Sequence, residues 1–207
     1  MFDKLICEYL FPSPIWCVDL QNNVREIHKY CLDVKEKTET RNLSNRGINS
    51  FQSNDIDTQF EINKNSELSK LFLSIEEYAN IAYSTYNPIE GLLSLKNFWI
   101  NINGHGAYNS IHTHPSSVLS GVFYVSIPQD EDCGSINFYR NQTEAYAIKS
   151  LGTGKTISTS DAPHSMLERW YRPEENRLFL FPSWMPHDVG VNKSRHERIS
   201  ISFNLTN

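Results

Sequence analysis

The sequence predicts a mainly β fold: a barrel with a polar cavity, its apolar outside covered by two N-terminal amphipathic helices. Three observations carry that reading. Residues 97–103 alternate Phe98, Ile100 and Ile102 with Trp99, Asn101 and Asn103, and residues 198–205 alternate Ile199, Ile201, Phe203 and Leu205 with Arg198, Ser200, Ser202 and Asn204. That is the period of strands with one greasy and one polar face. Two earlier segments instead space their apolar residues by three and four, as helices do. For any single strand a polar face more often meets solvent. A face carrying Arg, Ser, Asn and Trp99 close to His112 and His114 is better explained as a cavity lining, with the apolar faces turned outward under the helices. A chain of 207 residues is long enough for one domain, 1–207, in which 1–92 pack on a barrel core of 93–207.

The bulk numbers narrow the function classes. A net charge of -5 argues against a general nucleic-acid binder, which needs a basic surface to neutralise phosphates. Cys7, Cys17, Cys31 and Cys133 are scattered without a Cys-x-x-Cys pair, so reduced thiols are expected rather than a zinc knuckle or a disulfide framework. Asp3, Glu8, Pro12 and Pro14 interrupt any apolar leader, and no run reaches transmembrane length. The expectation is a cytoplasmic protein with no membrane partner.

Taken in order, residues 9–20 read as a strand broken by Pro12 and Pro14, suited to a sheet edge. Leu20, Val24, Ile27, Cys31 and Val34 then predict a helix with Arg25, Glu26, Lys29 and Lys35 outside the stripe; His28 is an ordinary member of it. Residues 36–65 are polar, with Phe51, Ile56, Phe60 and Ile62 as isolated anchors, and read as a long loop or a set of short strands. The second helix is carried by Leu68, Leu71, Phe72, Ile75, Ala79, Ala82 and Tyr83, capped by Asn65 or Ser66 and ended by Asn87-Pro88. A sheet follows from near Leu93. Gly104 and Gly106 mark a turn that leads through Tyr108 to the histidine pair; 120–127 and 135–140 are further strands, separated by Pro128 and an acidic turn. Residues 141–176 read as a loop insertion with weak strand signals at 145–148, long enough to be a lid or substrate-binding element. Gly152–Thr156 looks like half of a phosphate-binding loop, but its upstream glycine is replaced by Lys149, so nucleotide binding is discarded. His164 reads as a solvated loop residue.

His112 and His114, two residues apart on an extended segment, point to one side and can converge on one metal ion. His187, after Phe181-Pro182, is the third candidate. A lone His-x-His is more often a surface pair, and Arg198 alone would be read as an ion pair with Glu197. The spacing changes this: Arg198 lies eleven residues past His187 and Ser200 two further on the same face. A returning strand then sets a guanidinium and a hydroxyl across a cavity from the metal, a partnership suited to a carboxylate. Imidazoles suit iron, zinc, copper or nickel, and three of them leave coordination positions open for catalysis.

His112-Thr113-His114-Pro115, the strand Ser120-Gly121-Val122-Phe123-Tyr124-Val125, the segment 181–187 (FPSWMPH), the ending 198–204 (RISISFN) and the opening 10–15 (LFPSPI) together resemble the iron(II)- and 2-oxoglutarate-dependent oxygenases, and within them the group with His-x-His-Pro and Phe-Pro-Ser-Trp-x-Pro-His motifs. The resemblance spans nearly the whole chain. It implies a double-stranded β-helix, a jelly-roll or cupin-like barrel, with Fe(II) as metal and 2-oxoglutarate as small-molecule cosubstrate. The implied reaction hydroxylates an unidentified prime substrate as 2-oxoglutarate is decarboxylated to succinate. His112 and His187 would bind iron, and Arg198 with Ser200 the distal carboxylate. Most of the wider superfamily has Asp or Glu at the position of His114. Here either His114 completes an all-imidazole triad, the first choice, or it stays unbound and water or chloride takes its place; Asp188 is adjacent to His187 and points the wrong way. Tyr124, Asn101 and Asn103 face inward as candidates for hydrogen bonds to the cosubstrate or to the groups that support the metal ligands, while Trp99, Trp184 and the 141–176 loop would shape the prime-substrate pocket. Two rivals keep the scaffold: a three-histidine, cupin-like dioxygenase that does not use 2-oxoglutarate, and a non-catalytic binding module.

Overall fold

The alternation in 97–103 and 198–205 becomes the middle of a large antiparallel sheet. The computed structural model describes residues 13–41, 46–61, 65–86, 91–129, 131–140 and 168–207. In chain order the elements are β1 (Trp16–Asp19), α1 (Val24–Lys37), β2 (Ser50–Gln52), β3 (Ile56–Asp57), α2 (Thr58–Glu61), α3 (Ser66–Tyr86), β4 (Ser94–Asn103), β5 (Asn109–His112), β6 (Leu119–Ser126), β7 (Ile136–Tyr139), β8 (Glu168–Tyr171), β9 (Arg177–Pro182), β10 (His187–Val189) and β11 (Arg198–Thr206). A 7-stranded sheet runs β1-β9-β6-β11-β4-β2, with β3 also on β4; a 4-stranded sheet runs β5-β10-β7-β8. Every pairing is antiparallel. β11 therefore lies between β6 and β4, strands that precede it by a long stretch of chain.

Parity sorts the side chains of the large sheet. Phe98, Ile100 and Ile102 of β4, Ile199, Ile201 and Phe203 of β11, Phe123 of β6 and Leu178 and Leu180 of β9 form one core with Ile27 and Cys31 of α1 and Leu68, Leu71, Phe72, Ile75 and Ala79 of α3. The two predicted helices thus cover the apolar face, each large side chain so buried contributing roughly 1.5–3 kcal/mol. On the opposite face Val122, Tyr124, Phe179 and Phe181 meet Ile136 and Phe138 of the small sheet, and Met185, in a second cluster. β6 and β9 are apolar on both faces because each supplies both cores. α3 starts at Asn65, whose Oδ1 accepts from the backbone N–H of Glu67 at 2.9 Å and Leu68 at 3.1 Å, satisfying two of the helix's free donors.

Cross-strand register lays the polar face out in rows. Gln52, Asn101, Ser200 and Tyr124 are successive partners across β2, β4, β11 and β6, and Asn103 partners Arg198 in the next row. The β11–β6 register slips between Ile199 and Ser200, so that Ile199 opposes Ser126 while Ser200 opposes Tyr124. Without that bulge Ser200 would meet Val125, which belongs to the helix-side core.

Several elements differ from expectation. His114 lies past the end of β5, because Pro115 and Ser116, with φ +69°, turn the chain. Residues 36–65 supply β2, β3 and the short α2. Leu20 is buried but precedes α1. Within the expected 141–176 insertion, residues 168–171 form β8, an edge strand on β7; its first three residues are exposed, so no apolar alternation announces it. Leu10, Phe11 and Pro12, the Asn87-Pro88 stop, the 145–148 signals, Gly152–Thr156 and His164 lie outside the described residues. Among the described residues no helix is long and apolar enough to cross a membrane.

Candidate metal centre and cavity

Two short strands bring the imidazoles together. His112 ends β5, His187 begins β10, and the two are direct cross-strand partners with ring centroids 4.3 Å apart. His114 sits 5.0 Å from His112 and 5.1 Å from His187, nearly parallel to the latter at 14°. The ligand atoms of all three lie within 4.8 Å of one another. The extended segment after β5 thus achieves what strand parity promised. The His114 N–H donates to the Ser183 carbonyl at 2.8 Å, its ring lies 5.6 Å from Trp99, and Phe181 packs 4.6 Å from His187.

Hydrogen bonds fix two of the tautomers. Nδ1 of His112 faces the Ser110 carbonyl at 2.7 Å and Nδ1 of His187 the Met185 carbonyl at 2.9 Å. A carbonyl only accepts, so each Nδ1 carries the proton and each Nε2 presents a lone pair. The Nε2 atoms of His114 and His187 are 3.3 Å apart. The His187 Nε2 lone pair points into this gap, which is filled either by an N–H from His114 or by a metal ion shared between the rings. Burial, then the neighbouring His112, pushes the pKa of His187 down to about 3 and that of His114 to about 4. Burial lowers His112 too. A neutral, convergent, three-nitrogen set could hold a divalent metal. Among the described residues no carboxylate joins the group. Asp188 turns away and accepts hydrogen bonds from Asn137 Nδ2 and the Tyr139 hydroxyl, both at 2.6 Å, tying β10 to β7.

The imidazoles open onto a cavity of about 410 Å³ between the two sheets, lined also by Trp99, Asn101, Asn103, Tyr124, Arg198 and Ser200. Arg198 is only 2% exposed, and burial lowers its pKa. Its Nη1 donates to the carbonyls of Cys133 and Gly134, and among the described residues no carboxylate pairs with it; Glu197 pairs with Lys35 instead. An unpaired buried cation costs several kcal/mol, so the cavity is suited to an anion. Tyr124 is buried next to Arg198 and desolvation drives its pKa up to about 12, keeping the hydroxyl a donor. The buried side-chain polar atoms left without a partner among the described residues are Arg46 Nε, Gln52 Oε1 and Asn101 Oδ1, and all three residues line this cavity. The residues therefore fit both a metal and a polar, acidic ligand.

Of the residues named from sequence, the structure gathers His112, His114, His187, Arg198, Ser200, Tyr124, Asn101, Asn103 and Trp99. Trp184 is not among the lining residues and is 52% exposed in the turn between β9 and β10. Sequence reasoning missed Arg41, Arg46, Gln52 and Asp55, which form the β2 side of the cavity, and the carbonyls of Cys133 and Gly134. The Phe51/Gln52 alternation was the available signal for Gln52; the others left none.

Residues 97–204 match the family model described as "Putative 2OG-Fe(II) oxygenase". Among solved structures the chain is similar to a Pseudomonas putida prolyl-4-hydroxylase (15% identity, TM-score 0.64, 94% of this chain and 93% of that one). It is similar to the non-haem α-ketoglutarate-dependent epimerase SnoN from nogalamycin biosynthesis (14%, 0.66, 94% and 79%). It also resembles HygX from Streptomyces hygroscopicus with nickel and 2-oxoglutarate bound (11%, 0.57, 93% and 82%). No curated protein matches. At such identities the structural likeness speaks for the jelly-roll fold alone, while the family match spans just over half of the 207 residues. The chain belongs to the 2OG-Fe(II) oxygenases, enzymes that use iron and 2-oxoglutarate.

Proposed function

We propose that this enzyme hydroxylates a small substrate, holding Fe(II) with His112, His114 and His187 and the distal carboxylate of 2-oxoglutarate with Arg198 and Ser200. The balance is R–H plus 2-oxoglutarate plus O2 giving R–OH, succinate and CO2. The observation that carries it is one cavity containing three convergent imidazoles and a buried guanidinium with no carboxylate partner among the described residues. The metal, when bound, supplies dioxygen activation coupled to oxidation of the 2-oxo acid.

The chain's own residues do the rest. The carbonyls of Ser110 and Met185 hold two rings with their lone pairs forward. Those of Cys133 and Gly134 engage one edge of Arg198, leaving the others for a carboxylate in bidentate geometry. Ser200 and Tyr124 partner across the bulge beside it and supply hydroxyl donors. Trp99 packs beside His114 and screens it from water.

The test is titration of 2-oxoglutarate into metal-loaded protein, with succinate release as second readout. Arg198→Ala should weaken 2-oxoglutarate roughly 30-fold or more, the cost of stripping a buried charge of its partner; His187→Ala should abolish metal retention. Wild type that binds metal but neither binds nor consumes 2-oxoglutarate would sink the reading. It would favour the cupin-like dioxygenase, which the all-imidazole ligand set alone supports.

A further inference from the structure

The proposed function uses the imidazoles, Arg198, Ser200 and Tyr124; the β2 side of the cavity is built as well. The row of cross-strand partners starts at Tyr124 and Ser200 and runs through Asn101 to Gln52, on the β2 edge of the sheet. There several polar atoms have no partner among the described residues. Asn101 spends its Nδ2 on Ser202 Oγ at 3.0 Å, leaving Oδ1 buried and unpartnered. Gln52, its neighbour in register and 3% exposed, has Oε1 in the same condition. Arg46, which lines the same cavity, leaves its Nε buried without a partner among the described residues. Burial and Arg41 lower Arg46's own pKa only to about 10, so it stays a cation. Asp55, the acid among the described lining residues, pairs with Arg41 at 3.1 Å.

Two acceptors on neighbouring strands and a cation lining the same cavity suit a ligand with both N–H donors and an anion. 2-Oxoglutarate has no N–H donor, and Arg198 already serves its carboxylate. A cavity of about 410 Å³ lies toward the lower end of ligand-site volumes, and with the cosubstrate inside a metabolite-sized second molecule would fill it.

Resting on the proposed function, we infer that the prime substrate is a free amino acid, its carboxylate held by Arg46 and its amino group by Gln52 Oε1 and Asn101 Oδ1, on the β2 side of the cavity. The acid and amine would then anchor the substrate's head, presenting its side chain toward the imidazoles.

Equilibrium binding to protein loaded with Zn(II) and 2-oxoglutarate, which cannot turn over, tests this without relying on activity. The probes are the common L-amino acids, one at a time, and their C-terminal amides. At least one amino acid is expected to bind, with its amide weaker by roughly tenfold or more, as for loss of a charged hydrogen bond. Arg46→Gln should lose the same factor, Arg46→Lys should recover part of it, and Gln52→Leu, of similar volume, should weaken binding several-fold. Melting temperatures of the variants, matched to wild type, exclude unfolding. The inference is overturned if protein that binds 2-oxoglutarate binds no amino acid, if amides bind as well as acids, or if Arg46→Gln changes nothing. It is overturned as well if Arg46→Gln weakens 2-oxoglutarate as Arg198→Ala does. Failure of wild type to bind 2-oxoglutarate at all would instead remove the proposed function itself.

Discussion

At the scale of residues, the all-imidazole set changes the charge of the site. A divalent metal held by three neutral ligands keeps both positive charges, whereas a carboxylate would cancel one. The dianionic cosubstrate then has more to gain from the metal and the metal more from it. Metal affinity should therefore rise at least several-fold in the presence of 2-oxoglutarate, and by linkage the cosubstrate should bind tighter with metal by the same factor. His114→Asp should shrink that coupling while raising affinity for metal alone; calorimetry with each ligand, alone and together, checks both. The pH dependence has a definite sign. Neutral imidazole is the ligand, and all three pKa values lie below 6.5, His114 near 4 and His187 near 3. Metal binding should be level as the pH falls to 6.5 and be lost only below it. The metal-free protein should also lose stability below pH 6.5, because the unfolded chain takes up protons that the buried rings refuse. Thermal melts of chelated protein across that range would show it.

At the scale of elements, the turn ahead of β7 matters as much as the strands that bear the named residues. Gly134 has φ +82°, and a Cβ there would lie 2.1 Å from the Gly190 carbonyl oxygen and 3.0 Å from Arg198 Nη1. Gly134→Ala should cost about 1–3 kcal/mol of stability and weaken 2-oxoglutarate binding by displacing the guanidinium. Asn65→Ala, which removes the α3 cap, should cost about 1 kcal/mol with no effect on either ligand. These positions also show what was legible. His112, His187, Arg198 and Ser200 could be found because side-chain parity is local, and two residues of strand suffice to say which groups share a face. The helix stripes of α1 and α3 were legible for the same reason. Gln52 had only the brief Phe51/Gln52 alternation of a three-residue strand to mark it, and Arg46, ahead of that strand, had no pattern at all. The grip of Cys133 and Gly134 on Arg198 uses backbone carbonyls, which every residue has. β8 escaped because its exposed side chains carry no alternation.

At the scale of the molecule, the proposed centre would couple metal binding to the fold. The centre joins His112 and His114, on either side of the β5 end, to His187 at the start of β10, so a ligand that binds only the folded arrangement stabilises all of it. With metal at about 100 times its dissociation constant the gain is about 2.7 kcal/mol. Chelation should lower the melting temperature of wild type accordingly and leave His187→Ala unmoved, as differential scanning fluorimetry would read.

The position of β11 between β6 and β4 has a consequence for biosynthesis. Before residues 198–206 leave the ribosome, β4 and β6 have no strand between them, and each presents an unpaired edge beside a greasy face. All three histidines of the proposed centre precede Arg198 in the chain. Until the last strand docks, those edges stay open to pairing with other chains. Closure by the strand that carries Arg198 and Ser200 ends the exposure and supplies the cosubstrate's partners in one event.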